Sequence, residues 1–349
     1  MSLTKMLKGK SEIEIELQTI LRNIIPTKKE FSTFSGNEAF SSKKGIDVPY
    51  ILNYSYQSSV VGTAFDYMAR FIVSQNNDSN KEDVSVGLTA RHGLEILQRY
   101  CATKTSKSLE AKFNKGLVLI NKFVKRRKAS FEKLLPYATY MARLEHIFRS
   151  GMPPKDIEGS LLSEEENEII VDLKRLCEVF IERFMIPQII TPESSVVFNP
   201  HFGIASQSCG GADADIYIDG TLYDFKTSKL TGYKWQEISQ IFGYYFLNCI
   251  AADLKDTSAK LDGYEIKRLA FYKARYGEIE YIDISSMQTK KMESAIKETN
   301  ELLNIRKLPS RSERNYKMNR KVVNNISMRF AYLFVLLLLI FSFFLTYPF

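Results

Sequence analysis

The chain is poor in the residue types that build redox or zinc centres. Its 349 residues include one tryptophan, three histidines and four cysteines. The cysteines, at positions 101, 177, 209 and 249, have no paired spacing, so they indicate neither a zinc ribbon nor an iron–sulfur centre. Unpaired cysteines of this kind are typical of reduced thiols in a cytoplasmic protein. The histidines at 92, 146 and 201 are equally scattered and predict no histidine-based metal site.

Two motifs are also missing. The chain contains no GxxxxGK[ST] sequence, so it lacks the phosphate-binding loop of an ATP-driven motor. Any motor would have to come from a helicase or recombination partner. The first 18 residues have no apolar core, which argues against a signal peptide and predicts a cytoplasmic body. Nothing in the sequence indicates an oligomeric state.

The positive charge is concentrated near the C-terminus. Of the formal net charge of +8, residues 306–329 supply +7, from eight basic residues and one acid. Residues 330–349 carry no charge, and twenty helical residues span roughly 30 Å, the thickness of a hydrocarbon core. We therefore expect a basic linker and a transmembrane tail whose body stays on the cytosolic side. The alternatives are an aberrant extension or a buried helix of the fold.

The most informative segment is residues 210–229, GGADADIYIDGTLYDFKTSK. Asp219-Gly220 is a strong signal for a two-residue type I′ turn, because both central positions of that turn need a positive φ. The flanking residues then pair as antiparallel strands whose side chains alternate between two faces. One face of this hairpin receives Asp215 and Tyr217 from the first strand, and Leu222, Asp224 and Lys226 from the second.

In a regular hairpin with this turn, Asp215 lies directly opposite Asp224, and Lys226 follows two residues later on the same face. Two ionised carboxylates side by side repel each other, and a divalent cation between them removes the conflict. Oxygen ligands with room for water suit Mg²⁺ or Mn²⁺ better than zinc. The hairpin therefore predicts a magnesium or manganese site, although Asp224 and Lys226 taken alone also fit an ordinary exposed charge pattern.

A second motif, QIFGY at residues 240–244, follows on a predicted helix. Gln240 and Tyr244 are four residues apart, so they project from one helical face. Together, Asp215, the Asp224-Phe225-Lys226 triplet and this helix resemble the D…(D/E)xK and QxxxY signatures of the PD-(D/E)XK nuclease superfamily. The resemblance is to its RecB-like and λ-exonuclease-like branch. It covers about residues 190–285 and says little about the first 150.

The resemblance implies a role for each matched residue. In that family the two acids, here Asp215 and Asp224, bind a metal together with a backbone carbonyl, here that of Phe225. Lys226 would orient or help deprotonate the attacking water and offset the charge of the pentacovalent phosphorane. The helix motif would hold the nucleic-acid backbone through Gln240 and Tyr244.

Two positions of the family pattern have alternatives in this chain. Asp213 competes with Asp215 as the first acid, and Asp215 is preferred because it leads directly into the alternating strand. The upstream metal ligand, often a histidine in this branch, corresponds to Asp66 in residues 61–71, VGTAFDYMARF. Glu178 and Glu182 on a later helix are alternatives, and an exposed helix face is the simpler explanation for both.

The sequence thus predicts an α/β protein with a restriction-endonuclease-like mixed sheet of order αβββαβ. Residues 1–155 form a mostly helical N-terminal region, 156–305 the nuclease core, 306–329 the linker and 330–349 the hydrophobic tail helix. The expected activity is Mg²⁺- or Mn²⁺-dependent hydrolysis of DNA phosphodiester bonds, with RNA as the alternative substrate. The competing hypothesis is a catalytically inactive nuclease-fold module that binds nucleic acid or a partner, with or without a membrane anchor.

Overall fold

A computed structural model describes residues 2–305, apart from residues 44, 78–83, 85–86 and 126–129. Met1–Ile305 form one compact unit. The predicted basic linker at 306–329 and the hydrophobic tail at 330–349 lie outside the described residues. No helix within the described part of the chain is both long enough and apolar enough to cross a membrane.

The protein is a mixed α/β structure, as predicted, and most of its first 150 residues are helical. Two residues favour the observed ends of the helix at 135–150. Pro136 lies in its first turn, and Gly151 ends it with a φ of 70°. Within the described residues the α-helices are α1 (Leu3–Met6), α2 (Glu12–Arg22), α3 (Ser55–Asn76), α4 (Ala90–Tyr100), α5 (Thr103–Val124), α6 (Leu135–Ser150), α7 (Ile157–Leu161), α8 (Asn167–Arg183), α9 (Gly203–Ser208), α10 (Trp235–Asp253) and α11 (Thr289–Leu302).

Six strands form one mixed sheet in the order β1-β6-β5-β4-β3-β2. Their bounds are β1 (Ser32–Thr33), β2 (Val196–Phe198), β3 (Ile216–Ile218), β4 (Thr221–Lys226), β5 (Arg268–Lys273) and β6 (Glu278–Asp283). β4 and β5 are parallel, and α10 makes the crossover between them, whereas the other neighbours are antiparallel. From α8 onward the larger elements run α8, β2, β3, β4, α10, β5, with the short α9 inserted after β2. The edge strand β1 lies where the sequence indicates only an irregular loop.

The hairpin between β3 and β4 has the predicted turn and register. Asp219 has a φ of 44° and Gly220 a φ of 90°, the positive values that a type I′ turn requires. Ile216 pairs with Tyr223 and Ile218 with Thr221, so the same register places Asp215 beside Asp224. A one-residue slip would move every side chain to the other face, so this turn fixes which side of the sheet receives the acids.

Helices cover both faces of the sheet. On one face, Phe65 of α3 and Phe180 of α8 pack edge-on against Phe225, with ring centroids 5.9 and 5.8 Å apart respectively. On the other face, Leu222 and Phe271 are fully buried in the core that includes α10 and α2. The alternation along β4 therefore turns Asp224 and Lys226 toward α10, as the predicted period of two requires.

One buried ion pair ties α8 to the end of the sheet. The Arg275 guanidinium donates two hydrogen bonds to Asp172, at 2.9 and 2.6 Å, and both side chains are almost completely buried. Arg275 also donates to the carbonyl of Thr227 at 2.7 Å, immediately after β4. We call Arg275 and Asp172 the structural ion pair. Its charges are matched, and it fixes the chain directly after the DxK triplet.

Candidate active site

The acids of the hairpin lie at the C-terminal end of β4. Asp224 is buried, with its side chain 7% exposed, and its Oδ2 lies 2.5 Å from the ammonium of Lys226. The contact is a close ion pair between a buried carboxylate and an ammonium. Asp215 accepts a hydrogen bond from the backbone N–H of Phe225 at 2.5 Å. The structure thus brings together Asp215, Asp224 and Lys226.

Electrostatics within the hairpin are unfavourable for two ionised acids. Burial, and then the charge of Asp224, raise the pKa of Asp215 to about 7. Burial also raises the pKa of Asp224, although the adjacent Lys226 opposes that shift. Buried carboxylates that repel each other are typical of sites that bind a cation or a proton.

Asp66 joins these two acids from α3. Burial raises the pKa of Asp66 well above its usual value, and the next largest cause is the charge of Asp215, with a smaller contribution from Asp224. Gly62, one turn earlier, approaches the chain just after β4 so closely that a Cβ there would lie 3.2 Å from Thr227 Oγ1. We call Asp66, Asp215 and Asp224 the acidic site.

The alternative acids lie elsewhere. Glu178 forms an exposed ion pair with Lys174, and Glu182 contacts Arg183 at 3.4 Å with its side chain 67% exposed. Both therefore behave as residues of a solvated helix face, the simpler explanation that the sequence offered. Asp213 is exposed, and it forms an isolated antiparallel bridge with His201 on the approach to β3.

The QxxxY motif lies on α10, facing the acidic site. The Gln240 amide donates to the Tyr244 hydroxyl at 2.8 Å and to Thr4 Oγ1 at 3.0 Å. Burial, followed by the charges of Asp224 and Asp215, raises the pKa of Tyr244, which places its hydroxyl in the field of the site. Tyr244 is only 4% exposed. The i, i+4 pair therefore shares one face, as predicted, and Gln240 is the more accessible member.

Two charged residues of the site are missing from the sequence-based prediction. Glu237, one turn before Gln240, lies 2.9 Å from Lys234 and 3.4 Å from Lys273. Lys273 pairs with Lys226 in the parallel register of β4 and β5 and is 2% exposed. Two signals were present: the i, i+3 spacing of Glu237 and Gln240, and a lysine that directly follows an unbroken run of four apolar residues in β5.

The donor set of the acidic site suits a hard divalent cation in its chemistry, because it consists of carboxylates beside a backbone carbonyl, that of Phe225. In the described residues, however, no group of three or more His, Cys, Asp or Glu side chains is arranged to hold a metal ion. Lys226 supplies the positive charge at Asp224 instead.

No protein-family model, no curated protein and no solved structure matches this chain in the three comparisons. The functional conclusion consequently depends on the site itself.

Proposed function

We propose that the protein is a metal-dependent nuclease with a restriction-endonuclease-like core of the PD-(D/E)XK type. The observation that carries the proposal is the convergence of three carboxylates with a lysine at the end of β4. Asp66 and Asp215 bring two carboxylates into the field of Asp224, which contacts Lys226, while the charge of Arg70 acts on Asp66 and Asp215. A surplus of buried negative charge at one point is costly unless a cation offsets it.

Mg²⁺ or Mn²⁺ would be held by the acidic site and the carbonyl of Phe225. When bound, such a cation supplies a nucleophilic water at neutral pH and Lewis-acid stabilisation of phosphoryl oxygens. Lys226 is charged in this environment, because Asp224 and its neighbours outweigh the effect of burial and raise its pKa. Its ammonium can therefore orient a water by hydrogen bonding and offset negative charge that develops on the phosphate.

The helix motif supports the substrate. Gln240 is partly exposed and carries donors that suit phosphate or sugar oxygens of a nucleic-acid backbone. Tyr244 is nearly buried and hydrogen-bonds to Gln240, so its role is to orient that amide. DNA is the proposed substrate and RNA the alternative, because backbone contacts of this kind carry no sequence information.

A second candidate is a catalytically inactive nuclease-fold module that binds nucleic acid or a partner. It is favoured by the Lys226–Asp224 contact at 2.5 Å together with the lack of a closed metal-ligand group in the described residues. In that case Lys226 would be a permanent counterion of Asp224.

The test is cleavage of labelled single- and double-stranded DNA and RNA by the full-length chain, with Mg²⁺, Mn²⁺ or EDTA. We expect cleavage of DNA only with the cation, and a loss of at least about 100-fold in Lys226→Ala. Lys267→Ala is the matched control, because Lys267 is 69% exposed. Equal cleavage by wild type and Lys226→Ala contradicts the catalytic assignment, and metal-independent binding without cleavage supports the inactive module.

A further inference from the structure

Two lysines lie side by side at the ends of the parallel strands. Lys226 of β4 and Lys273 of β5 are register partners, so both ammonium groups point from the same face of the sheet toward α10. Their side chains are 18% and 3% exposed respectively. Two buried cations in neighbouring positions repel each other and need acidic partners.

The partners are unequally distributed. Lys226 contacts Asp224, an acid of the hairpin. Lys273 contacts Glu237 at 3.4 Å and Glu280 at 3.9 Å, and Glu237 also contacts Lys234. Glu237 lies 3.4 Å from Lys273, the register partner of Lys226, and the charges of Lys273 and then Lys226 lower its pKa against the effect of burial. Glu237 is therefore the acid outside the hairpin whose charge acts on Lys226.

The present contact of Lys226 conflicts with cation binding. An ammonium 2.5 Å from Asp224 Oδ2 covers the oxygen that a divalent cation would bind and repels the cation. Lysine has a flexible four-carbon stem and three rotatable donors, so its ammonium can change partner without movement of β4. A second carboxylate within reach of that stem would complete an exchange.

We propose that Glu237 is a positioning residue that accepts Lys226 when a divalent cation takes Asp224. The inference rests on the proposed function, since it concerns the cation of the same site. In the exchange the cation takes the place of the ammonium at Asp224, and Glu237 receives the displaced ammonium. The exchange keeps the ammonium of Lys226 beside the acidic site, where it can donate hydrogen bonds to a water or a phosphate. It requires Glu237 to accept both Lys226 and Lys273.

The test is Mn²⁺ binding to the full-length chain without nucleic acid, measured by electron paramagnetic resonance of free Mn²⁺. Lys226→Gln should bind Mn²⁺ about five- to tenfold more tightly than wild type, because Asp224 is released. Glu237→Gln should bind it about five- to tenfold more weakly, because Lys226 stays on Asp224. In the double variant, the Glu237→Gln effect should almost disappear, because there is no ammonium left to accept.

The double variant separates exchange from general attraction. If Glu237→Gln weakens Mn²⁺ binding equally with and without Lys226, Glu237 acts only through its distant charge and the inference is overturned. Glu237→Asp should restore part of the affinity, and Glu293→Gln, which removes an exposed acid of α11, should have no effect. In the cleavage reaction, Glu237→Gln should raise the Mn²⁺ requirement and leave the KM for DNA unchanged.

The two proposals fail in different ways. Wild-type protein that binds no Mn²⁺ overturns the metal site and the exchange together. Wild-type protein that binds Mn²⁺ with an affinity that Glu237→Gln does not change overturns only the exchange. Circular dichroism of each variant shows whether it is folded, and Lys226→Met, which keeps the apolar stem, replaces Lys226→Gln if the latter is not.

Discussion

The protein has two buried ionic groups that differ in one respect, the balance of charge. The structural ion pair joins one cation to one anion through two hydrogen bonds, at 2.9 and 2.6 Å. The acidic site places three carboxylates in one another's field, and its only close contact with a cation in the described residues is the ammonium of Lys226 on Asp224. The charges of the structural ion pair are balanced within the chain, whereas the acidic site can take up a further cation.

This difference distinguishes a structural role from a functional one more reliably than burial does, because Asp224 of the acidic site is buried like both members of the structural ion pair. A matched pair with good geometry is complete within the chain, and removing one partner leaves an uncompensated charge. A mismatched group is destabilised in the folded state by its own repulsion, and removing one of its acids relieves that repulsion. Opposite effects on stability are therefore expected from mutations in the two groups.

The largest effect is expected in the structural ion pair. Arg275→Ala should lower the free energy of unfolding by about 3–5 kcal/mol, because Asp172 is left buried without its partner. Replacing both residues, as Arg275→Met with Asp172→Leu, should cost much less. Urea unfolding of the full-length chain measures both. Arg183→Ala is the control, since Arg183 is 52% exposed, and a similar loss there would contradict the interpretation.

In the acidic site, the expected change is in activity. Asp66→Asn should reduce kcat/KM for DNA cleavage by about 10- to 100-fold, because a carboxylate near the cation is lost. Its unfolding free energy without metal should stay the same or rise, because one repelling charge is gone. Cleavage rates test the expected loss of kcat/KM, and urea unfolding of the same preparation tests the expected unfolding free energy. A loss of stability as large as that of Arg275→Ala would show that Asp66 is structural.

The pH dependence of stability should separate the two groups further. The pKa of Asp215 is about 7 in the folded protein against a usual 3.8. The folded state then binds more protons than the unfolded state between these values, so stability falls as pH rises from about 4 to about 7. The expected loss in EDTA is about 1–2 kcal/mol.

Mg²⁺ should reduce that loss, and Asp215→Asn should remove most of it, since the titrating carboxyl is absent. Urea unfolding at pH 5 and pH 8 gives the comparison. If Asp215→Asn keeps the same pH dependence as wild type, then Asp215 does not carry the shifted proton.

The smallest effect is expected from the alternative acids of α8. Glu182→Gln should leave both cleavage and stability unchanged within about 0.5 kcal/mol, because its side chain is 67% exposed. The measurement is the same cleavage assay as for Asp66→Asn. A reduction in cleavage by Glu182→Gln, with Asp66→Asn unaffected, would reverse the assignment of the upstream ligand.

Local patterns predicted the hairpin and the long helices well. The Asp219-Gly220 turn needs only two residues with positive φ, and its register follows from the turn. Within the predicted helical region 1–155, the helices α3 and α6 have apolar residues at helical spacing, which is the pattern that predicts helix there. The two-residue strand β1 was missed, since two residues show no period and only the edge of β6 gives them a ladder.

The site was predicted only in part for a related reason. Asp215, Asp224 and Lys226 are close in sequence, so their spacing shows that they share a face. Lys273 lies 47 residues after Lys226, and only the parallel pairing of β4 with β5 makes them neighbours. Asp66 could be placed on a helix, but which acid approaches Asp215 depends on how α3 packs.

By itself, the sequence determined the turn, the alternation along β4 and the shared face of Gln240 and Tyr244, because each depends on backbone geometry over a few residues. The tertiary structure decided which charges meet. It paired Arg275 with Asp172 and placed Asp66, Asp215 and Asp224 in one another's field. Electrostatic energy depends on distance through space and on burial, and neither is fixed by separation along the chain.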